Sequence, residues 1–528
     1  MTARAAGVLE SGVRLSDLIR ELRGNCELRG DAQTRVFGIH HDSRKVAAGD
    51  LFVARSGVKT NGLSFVAEAR SRGAVALLVS RDEEKNLPDD SLPTILVDDI
   101  AGALAFAAAA IYSHPSFSLE VIGITGTNGK TTTTHLVQAA IDAVEGMPKC
   151  GLIGTVGHRF ADYAVEAEHT TPEADELARV MAEMRVRGAT YVAMEVSSIA
   201  LALGRVRAVR FRAAAVTNFT QDHLDFHGSM AAYGEAKKIL FTECAPGSIV
   251  ANVSNAFGAS IANEARAPMV RVSTNIGDDV EVVPTRVAID AHGIDADFKT
   301  PSGEMHVRSK LFGVHNLENI VVALGIASVL KLDLVKACAG ISAAAGPPGR
   351  LERCDAVGDD ITVLVDYAHT PDALTRSLES IRAICQGEIH CVFGCGGDRD
   401  PSKRVPMGEA VARVADFAIL TNDNPRTEDP EKIAVDVIVG LEAGGMSPAA
   451  NLGAHGYSKE LDRRRAIDLA VLAARPGDVV VICGKGHETY QIIGDEKRPF
   501  DDRVAARGAL VDRAQARANA ARSNESSQ

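Results

Sequence analysis

Short apolar runs of strand length alternate with stretches of helical periodicity over most of this chain. The clearest run is Leu119–Thr125, followed by a Gly-rich turn and a helix predicted from about Lys130. Tyr191–Met194 and Ala213–Val216 predict further buried strands. Strands alternating with helices predict a mostly parallel sheet. The first hundred residues mix short strands, such as Ile95–Val97, with helices. An Ala-rich segment near 101–112 predicts a buried helix closing a small domain. His114-Pro115 ends it, because the residue before proline disfavours helical backbone. Across 280–312 a shorter alternation (Val280, Val282, then Met305, Val307) predicts a small antiparallel patch. A helix after Asn316 then leads to the loop Gly346-Pro347-Pro348-Gly349. The rhythm repeats beyond it. Strands are predicted at Ile361–Val365, His390–Phe393, Ala418–Leu420 and Val479–Ile482, with helices starting near Pro371, Lys403, Pro430 and Lys459. The tail after about 515 is expected to fray. The pattern predicts an α/β chain of three domains, 1–115, 116–343 and 344–528.

Composition narrows the function. At 528 residues the chain has room for three or four domains of about 150 each. Lys plus Arg is 57 and Asp plus Glu is 69, a net charge of −12, which gives no support for a general nucleic-acid binder. Trp is absent and aromatics make up 4%, so stacking platforms for single strands are not expected. The nine cysteines are scattered, with no Cys-x-x-Cys pair, and predict reduced thiols rather than a disulfide framework or a structural zinc site. No apolar signal core opens the chain. Its most apolar run, Ala101–Tyr112, is shorter than the roughly 20 residues a membrane span needs. A soluble, cytoplasmic protein is expected.

The sharpest chemical signal is Gly123-Ile124-Thr125-Gly126-Thr127-Asn128-Gly129-Lys130-Thr131-Thr132, at a strand-to-helix junction. Glycines there let backbone N–H groups approach phosphate, and the helix N-terminus adds positive potential. Lys130 would bridge the outer phosphates and Thr131 would ligate Mg²⁺. Ile124 stands where the strict phosphate-loop spacing wants Gly. Glu195, ahead of Val196-Ser197-Ser198, follows a buried strand, and Asn218, Asp222 and His223 follow the next. Open α/β sheets bind ligands at that edge. Taken singly, each residue reads as a cap or a surface group; their clustering beside a phosphate loop reverses that reading. Glu195 and His223 would suit a second Mg²⁺. The helix carrying Tyr233, Lys237 and Lys238 reads, without more, as a solvated face.

The phosphate loop, Glu195-Val196-Ser197-Ser198, Asp222-His223 and Tyr233-x-x-Ala236-Lys237 together resemble the Mur ligase family. So do Asp366-Tyr367-Ala368-His369-Thr370-Pro371-Asp372, Gly394-Cys395-Gly396-Gly397-Asp398-Arg399-Asp400, Asp423-Asn424-Pro425-Arg426 and Gly484-Lys485-Gly486-His487-Glu488. Asp42-Ser43-Arg44 with Gly49–Ala54 is similar to the family's UDP-binding domain. The resemblance runs in motif order over nearly the whole chain. It implies a UDP-binding N-terminal domain, a central phosphate-loop ATPase domain and a C-terminal Rossmann-like domain that binds an amino acid. The implied activity is an ATP-dependent amide ligase of cell-wall precursor synthesis that works through an acyl phosphate.

The resemblance also implies roles. Gly126, Thr127, Asn128, Gly129, Lys130, Thr131, Thr132, Asn316 and Arg350 would bind ATP. Thr131, Glu195, His223 and Lys237, the last as a CO₂-derived carbamate, would hold two Mg²⁺. Lys130, Glu195, His223 and Lys237 form the implied catalytic set. Ser43, the loop Val58-Lys59-Thr60, Thr170, Thr171, Ser197 and Arg205 would hold UDP-N-acetylmuramoyl-L-alanyl-D-glutamate. Asp366 and His369 would line an interdomain cleft. Arg399, Asp423, Asn424, Pro425, Arg426, Gly484 and Glu488 would bind the incoming amino acid. Arg426 points to meso-diaminopimelate over lysine, because a guanidinium pairs with the extra carboxylate through two parallel hydrogen bonds. A monomer is expected.

Three positions depart from the family pattern: Ile199, where many relatives carry His, Leu203, and Val405 within the Lys-Arg-Pro run. They bear on substrate contacts and not on the reaction class. The alternatives are a lysine-adding ligase, a folylpolyglutamate synthetase, a non-catalytic scaffold and a nucleotide switch. Arg426 opposes the first and the N-terminal domain the second. The complete set Lys130, Glu195, His223 and Lys237 opposes the third, and the motifs past 350 oppose the fourth.

Overall fold

The computed structural model describes residues 12–57, 61–87, 92–290, 293–311, 313–356 and 358–525. The chain divides into two units. One comprises Met1–Val287, Asp295–Ser309 and Asn316–Ala344, the other Ala288–Ile294, Lys310–His315 and Ala345–Gln528.

The first unit contains two α/β sheets. In the N-terminal one the strand order is Cys26–Arg29, Thr94–Val97, Ala76–Ser80, Asp50–Ala54, Gly38–His40. Its first pair is antiparallel and the rest are parallel. The Ala-rich helix Ile100–Ile111 covers this sheet, with Asp99 accepting from the Gly102 N–H as its cap. The eight-stranded central sheet runs Tyr163–Val165, Gly157–Phe160, Cys150–Gly154, Tyr191–Glu195, Glu120–Thr125, Phe211–Val216, Ile249–Asn252, Met269–Val272. Gly157–Phe160 pairs antiparallel with both of its neighbours, and every other pair is parallel. Glu120–Thr125 lies between strands that come later in the sequence, so its C-terminal end is a switch point of the kind that binds ligands. The two α/β layers are tied by charge. His41 donates its backbone N–H to Asp175 (3.1 Å) and pairs with it through Nδ1 (2.8 Å), while Arg55 pairs with Glu173 (3.2 Å).

The second unit has a six-stranded sheet in the order Glu352–Arg353, Thr362–Asp366, Val479–Cys483, Ile389–Phe393, Phe417–Leu420, Gly456–Lys459, parallel except for its first strand. Its four inner strands are largely apolar because both faces are covered. Leu364, Cys391, Phe393 and Val481 pack into one core, and Val363, Val365, Val392 and Val480 into the other. Val283–Asp290, Gly293–Thr300 and Gly303–Ser309 form the predicted small sheet.

Three expectations need correction. The helix near Asn316 runs Val314–Val329 and so contains Asn316 rather than following it. Lys459 ends a strand, and the helix starts at Arg463 because the Asp462 carboxylate accepts the Arg465 N–H. The tail does not fray at 515: a helix runs Asp502–Glu525. Ala and Arg are good helix formers, and Arg513 holds the Asp360 carboxylate at 3.0 and 2.7 Å. All nine cysteines are free. Among the described residues no helix is long and apolar enough to cross a membrane.

Candidate active site

The phosphate loop leaves the strand Glu120–Thr125 and opens the helix Lys130–Glu145. Gly126 has φ +150°, and a Cβ there would collide with the Thr217 hydroxyl. Gly129, at φ +85°, would meet the Asn319 carboxamide. Only glycine lets the loop lie this close to its neighbours. Residues after the next strand brace it. Asn128 donates its N–H to Asn218 Oδ1 (2.9 Å), Thr217 Oγ1 donates to the Asn128 carbonyl (2.6 Å), and Thr127 Oγ1 lies 3.1 Å from the Tyr233 hydroxyl. Asn316 is buried on the helix that supplies Asn319, which donates to it at 3.0 Å.

Lys130 Nζ donates to the carbonyls of Gly126 and Thr127, both at 2.9 Å. Lys237 Nζ reaches the same Gly126 carbonyl at 2.8 Å and sits 4.5 Å over the Tyr233 ring. Lys237 is 1% exposed, so the solvated-face reading is wrong. The residues that hide it, Tyr233 and the loop carbonyl, come from elsewhere in the helical register and the chain. Burial holds its amine well below the usual lysine range, and the Lys130 charge adds to that effect. No carboxylate forms an ion pair with it among the described residues.

Glu195 ends its strand beneath the loop. Its Oε2 accepts from Thr131 Oγ1 (2.9 Å) and Thr155 Oγ1 (3.2 Å), and its Oε1 from the Thr155 N–H (2.8 Å). His223 has a left-handed backbone (φ +51°), and its Nε2 lies 3.4 Å from Asp222 Oδ2. Burial first, then Lys130 and Lys237, push its pKa down, which favours the neutral, metal-ligating ring. Thr131 and Glu195 thus meet directly. His223 lies near both lysines, but no hydrogen bond joins it to Glu195 among the described residues.

Thr170, Thr171, Ser197 and Arg205 gather on the same strand end. Thr170 and Thr155 hydroxyls are 3.1 Å apart, and Thr171 Oγ1 donates to the Glu195 carbonyl (2.9 Å) and accepts from the Ser197 N–H (3.0 Å). Arg205 donates to the Thr171 carbonyl (2.9 Å) and pairs with Glu173 (2.6 Å). Ser43 is not brought to this edge; it is buried in the N-terminal layer, donating to Glu68 Oε2 (2.7 Å). Val58, Lys59 and Thr60 lie outside the described residues. Ile199 is on the short helix Ser198–Ala202, and Leu203 is 38% exposed beside it.

The second unit gathers its own set at the C-terminal ends of its parallel strands. Asp423–Arg426 follow Phe417–Leu420, and Gly484–Glu488 follow Val479–Cys483. Lys485, fully buried, donates to Asn424 Oδ1 (3.0 Å) and Glu488 Oε2 (2.9 Å) and lies 3.6 Å from Asp423 Oδ1. Asn424 Nδ2 donates to the same Glu488 oxygen at 3.0 Å. Gly484, at φ +117°, would place a Cβ 3.1 Å from Asp423 Oδ2. Arg426 has φ +52°, and its Nη1 donates to the Gly397 carbonyl at 2.7 Å. Among the described residues no carboxylate forms an ion pair with it. Arg399 is exposed, donating to the Asp398 carbonyl at 3.3 Å. Arg350 lies 4.8 Å over the Tyr367 ring. Asp366, whose pKa burial pushes up, accepts from the N–H groups of Leu351 and Ala368 (3.1 and 2.7 Å). His369, pushed down by burial, contacts the Tyr367 carbonyl through Nδ1 at 2.7 Å.

Sequence reasoning missed three residues. Thr155 anchors Glu195 through two atoms, yet it sits in a turn with no motif. Lys485 lies inside a quoted motif but was given no role. Arg463 is fully buried, pairs with Asp502 and donates to the Cys483 carbonyl (2.9 Å), so it braces the strand end before Gly484.

Comparison with known proteins follows this geometry. Residues 124–327 match the Mur ligase middle domain, 349–486 the Mur ligase glutamate ligase domain, and 35–112 the Mur ligase family catalytic domain. The chain is 42% identical to a UDP-N-acetylmuramoyl-L-alanyl-D-glutamate–2,6-diaminopimelate ligase of Gloeobacter violaceus, covering 95% of this chain and 99% of that one. A ligase of the same name from Geobacter metallireducens is 43% identical, over 94% and 98%. A solved structure of a protein with that name superposes with a TM-score of 0.66 at 30% identity, covering 94% and 99%. The chain therefore belongs to the Mur ligase family, an assignment that covers both of its units.

Proposed function

We propose that this protein joins meso-diaminopimelate to UDP-N-acetylmuramoyl-L-alanyl-D-glutamate at the expense of ATP, in the synthesis of peptidoglycan precursors. Mur ligases use ATP. In this reading the phosphates lie against the N–H groups of 126–132, at the positive end of the helix that begins at Lys130. Asn316 adds a contact to the nucleotide. Thr170, Thr171 and Ser197 contact the muramoyl dipeptide, Ser43 in the N-terminal layer contacts the uridine nucleotide, and Arg205 fixes the Thr171 backbone. The dipeptide's terminal carboxylate attacks the γ-phosphorus, giving an acyl phosphate and ADP. The amine of diaminopimelate then attacks the acyl carbon, and the tetrahedral intermediate expels phosphate. Phosphoryl transfer needs charge neutralisation and alignment more than covalent help, and Lys130 supplies part of the charge.

The donor set fits Mg²⁺. The Thr131 hydroxyl and the Glu195 carboxylate meet at 2.9 Å, and burial pushes the His223 pKa down. Lys237 fits carbamylation: a neutral buried amine reacts with CO₂, and the anion formed is attracted to Lys130 where the cation is repelled. Bound Mg²⁺ would neutralise phosphate charge and align the transferred group. Thr131, Glu195, His223 and carbamylated Lys237 are the residues that would hold it.

Arg426 carries the choice of amino acid. One of its nitrogens is spent on the Gly397 carbonyl, and among the described residues no carboxylate forms an ion pair with it, so the guanidinium can take a ligand carboxylate. Diaminopimelate offers one at its far end and lysine does not. Glu488, which accepts through Oε2 alone, and Asp423 would take the distal ammonium. The test is stoichiometry with ¹⁸O in the dipeptide's terminal carboxylate. One ADP, one phosphate carrying label and one tripeptide per turnover are expected. ATP hydrolysis with unlabelled phosphate and no tripeptide would overturn the reading.

A further inference from the structure

Away from both loop clusters, at the N-terminal edge of the second unit's sheet, His390 is the second residue of the strand Ile389–Phe393. It is 1% exposed, and neither ring nitrogen has a hydrogen-bond partner. Leaving both nitrogens of a buried imidazole without partners is unfavourable, and a bound ligand relieves it. Its Nε2 lies 3.7 Å from Glu388 Oε2 and 3.6 Å from Asp478 Oδ2. These separations are too long for hydrogen bonds, which close at about 2.7–3.2 Å. They approach the roughly 3.3–3.5 Å that separates two ligands of one tetrahedral ion bound at about 2.0–2.1 Å. All three donor atoms lie within 4.8 Å of one another.

We propose that Glu388, His390 and Asp478 form a zinc-type divalent cation site, separate from the nucleotide and amino-acid sites. The site is built on rigid backbone. Ile389 pairs with Val479 and His390 with Val480, so the three ligands come from the starts of two adjacent parallel strands. Asp478 is fixed by accepting from the Glu388 N–H (2.8 Å) and the Arg475 N–H (2.6 Å), which leaves lone pairs on both oxygens. The nearby Arg382 is paired with Asp416 and so does not neutralise the cluster. Glu388 is 42% exposed, which opens the cluster to solvent and leaves room for water as a fourth ligand. One imidazole with two carboxylates is a donor set that suits zinc. The ion would clip the two strand starts together and stabilise the fold by binding it.

The full chain, stripped with chelator, is titrated with zinc. Retained metal is read by elemental analysis, and Co²⁺ replaces zinc to report tetrahedral geometry through its visible absorption. Glu195→Gln weakens the other plausible zinc-binding place, while Glu388→Gln and His390→Gln remove ligands here. Glu388→Gln touches a half-exposed side chain and guards against a folding failure in His390→Gln. Expected are one tightly held zinc, a tetrahedral cobalt spectrum and a zinc-dependent rise in Tm, all kept in Glu195→Gln. Both cluster variants should lose the spectrum and bind zinc about 100-fold more weakly or worse. No retained zinc in the parent protein, or equal retention in the cluster variants, would overturn the proposal.

Discussion

Lys237 shows what a single residue contributes and what its sequence position hides. It sits on a helix beside Lys238, a pattern that reads as a solvated face, yet it is buried against Tyr233 and the Gly126 carbonyl. Lys130 and Glu195 were legible because a Gly-Lys-Thr turn and a strand end give away their positions. The partners of Lys237 are set by through-space packing, as are those of Thr155 and Lys485, and no local pattern reveals them. If Lys237 acts as an anionic carbamate and not as a cation, Lys237→Arg keeps the charge and still fails. The expected loss is about 10²-fold or more in kcat, measured by phosphate release, with ATP affinity much less affected. Arg426→Ala removes a charge-assisted carboxylate contact worth about 1.5–3 kcal/mol. It should cut kcat/KM for meso-diaminopimelate roughly 10- to 150-fold while leaving the slow rate with L-lysine nearly unchanged.

At the scale of elements, the strands were the readable part. Parallel strands covered on both faces are largely apolar, and four of the second unit's were found to within a residue or two; not found were Glu352–Arg353, the pair Tyr490–Ile493 and Glu496–Pro499, and Gly456–Lys459. That strand carries Tyr, Ser and Lys at the sheet edge and so gave no apolar run. The final helix was misread because composition suggested fraying, while its anchors lie far away in sequence. Arg513 reaches Asp360, and Asp502 forms an ion pair with Arg463 in which both side chains are fully buried. Breaking such a pair strands a charge in the core. Asp502→Asn should therefore lower stability by about 3–5 kcal/mol in denaturant unfolding and weaken diaminopimelate binding, because Arg463 also holds the Cys483 carbonyl before Gly484.

Over the whole molecule, buried neutral histidines tie stability to pH. His158, His315 and His487 are each pushed down to about 4 by burial. In the unfolded chain each titrates near 6.5, so between these values the unfolded state binds more protons. Stability is therefore intact above about pH 6.5 and falls as the pH drops toward 4, by about 3 kcal/mol per ring at the lower end. A Tm series from pH 7 to 4.5 should show this slope, and His158→Leu should flatten it. The global reading was legible because family motifs run in order through the chain, from Asp42-Ser43-Arg44 to Gly484–Glu488, and relatives that carry the diaminopimelate-ligase name match 95% and 94% of it. The most direct test of that reading is tripeptide formation from UDP-N-acetylmuramoyl-L-alanyl-D-glutamate, ATP and Mg²⁺, with meso-diaminopimelate and L-lysine compared side by side at equal concentration. The account predicts product with diaminopimelate at a rate at least about tenfold above lysine. Equal or faster use of lysine would contradict it.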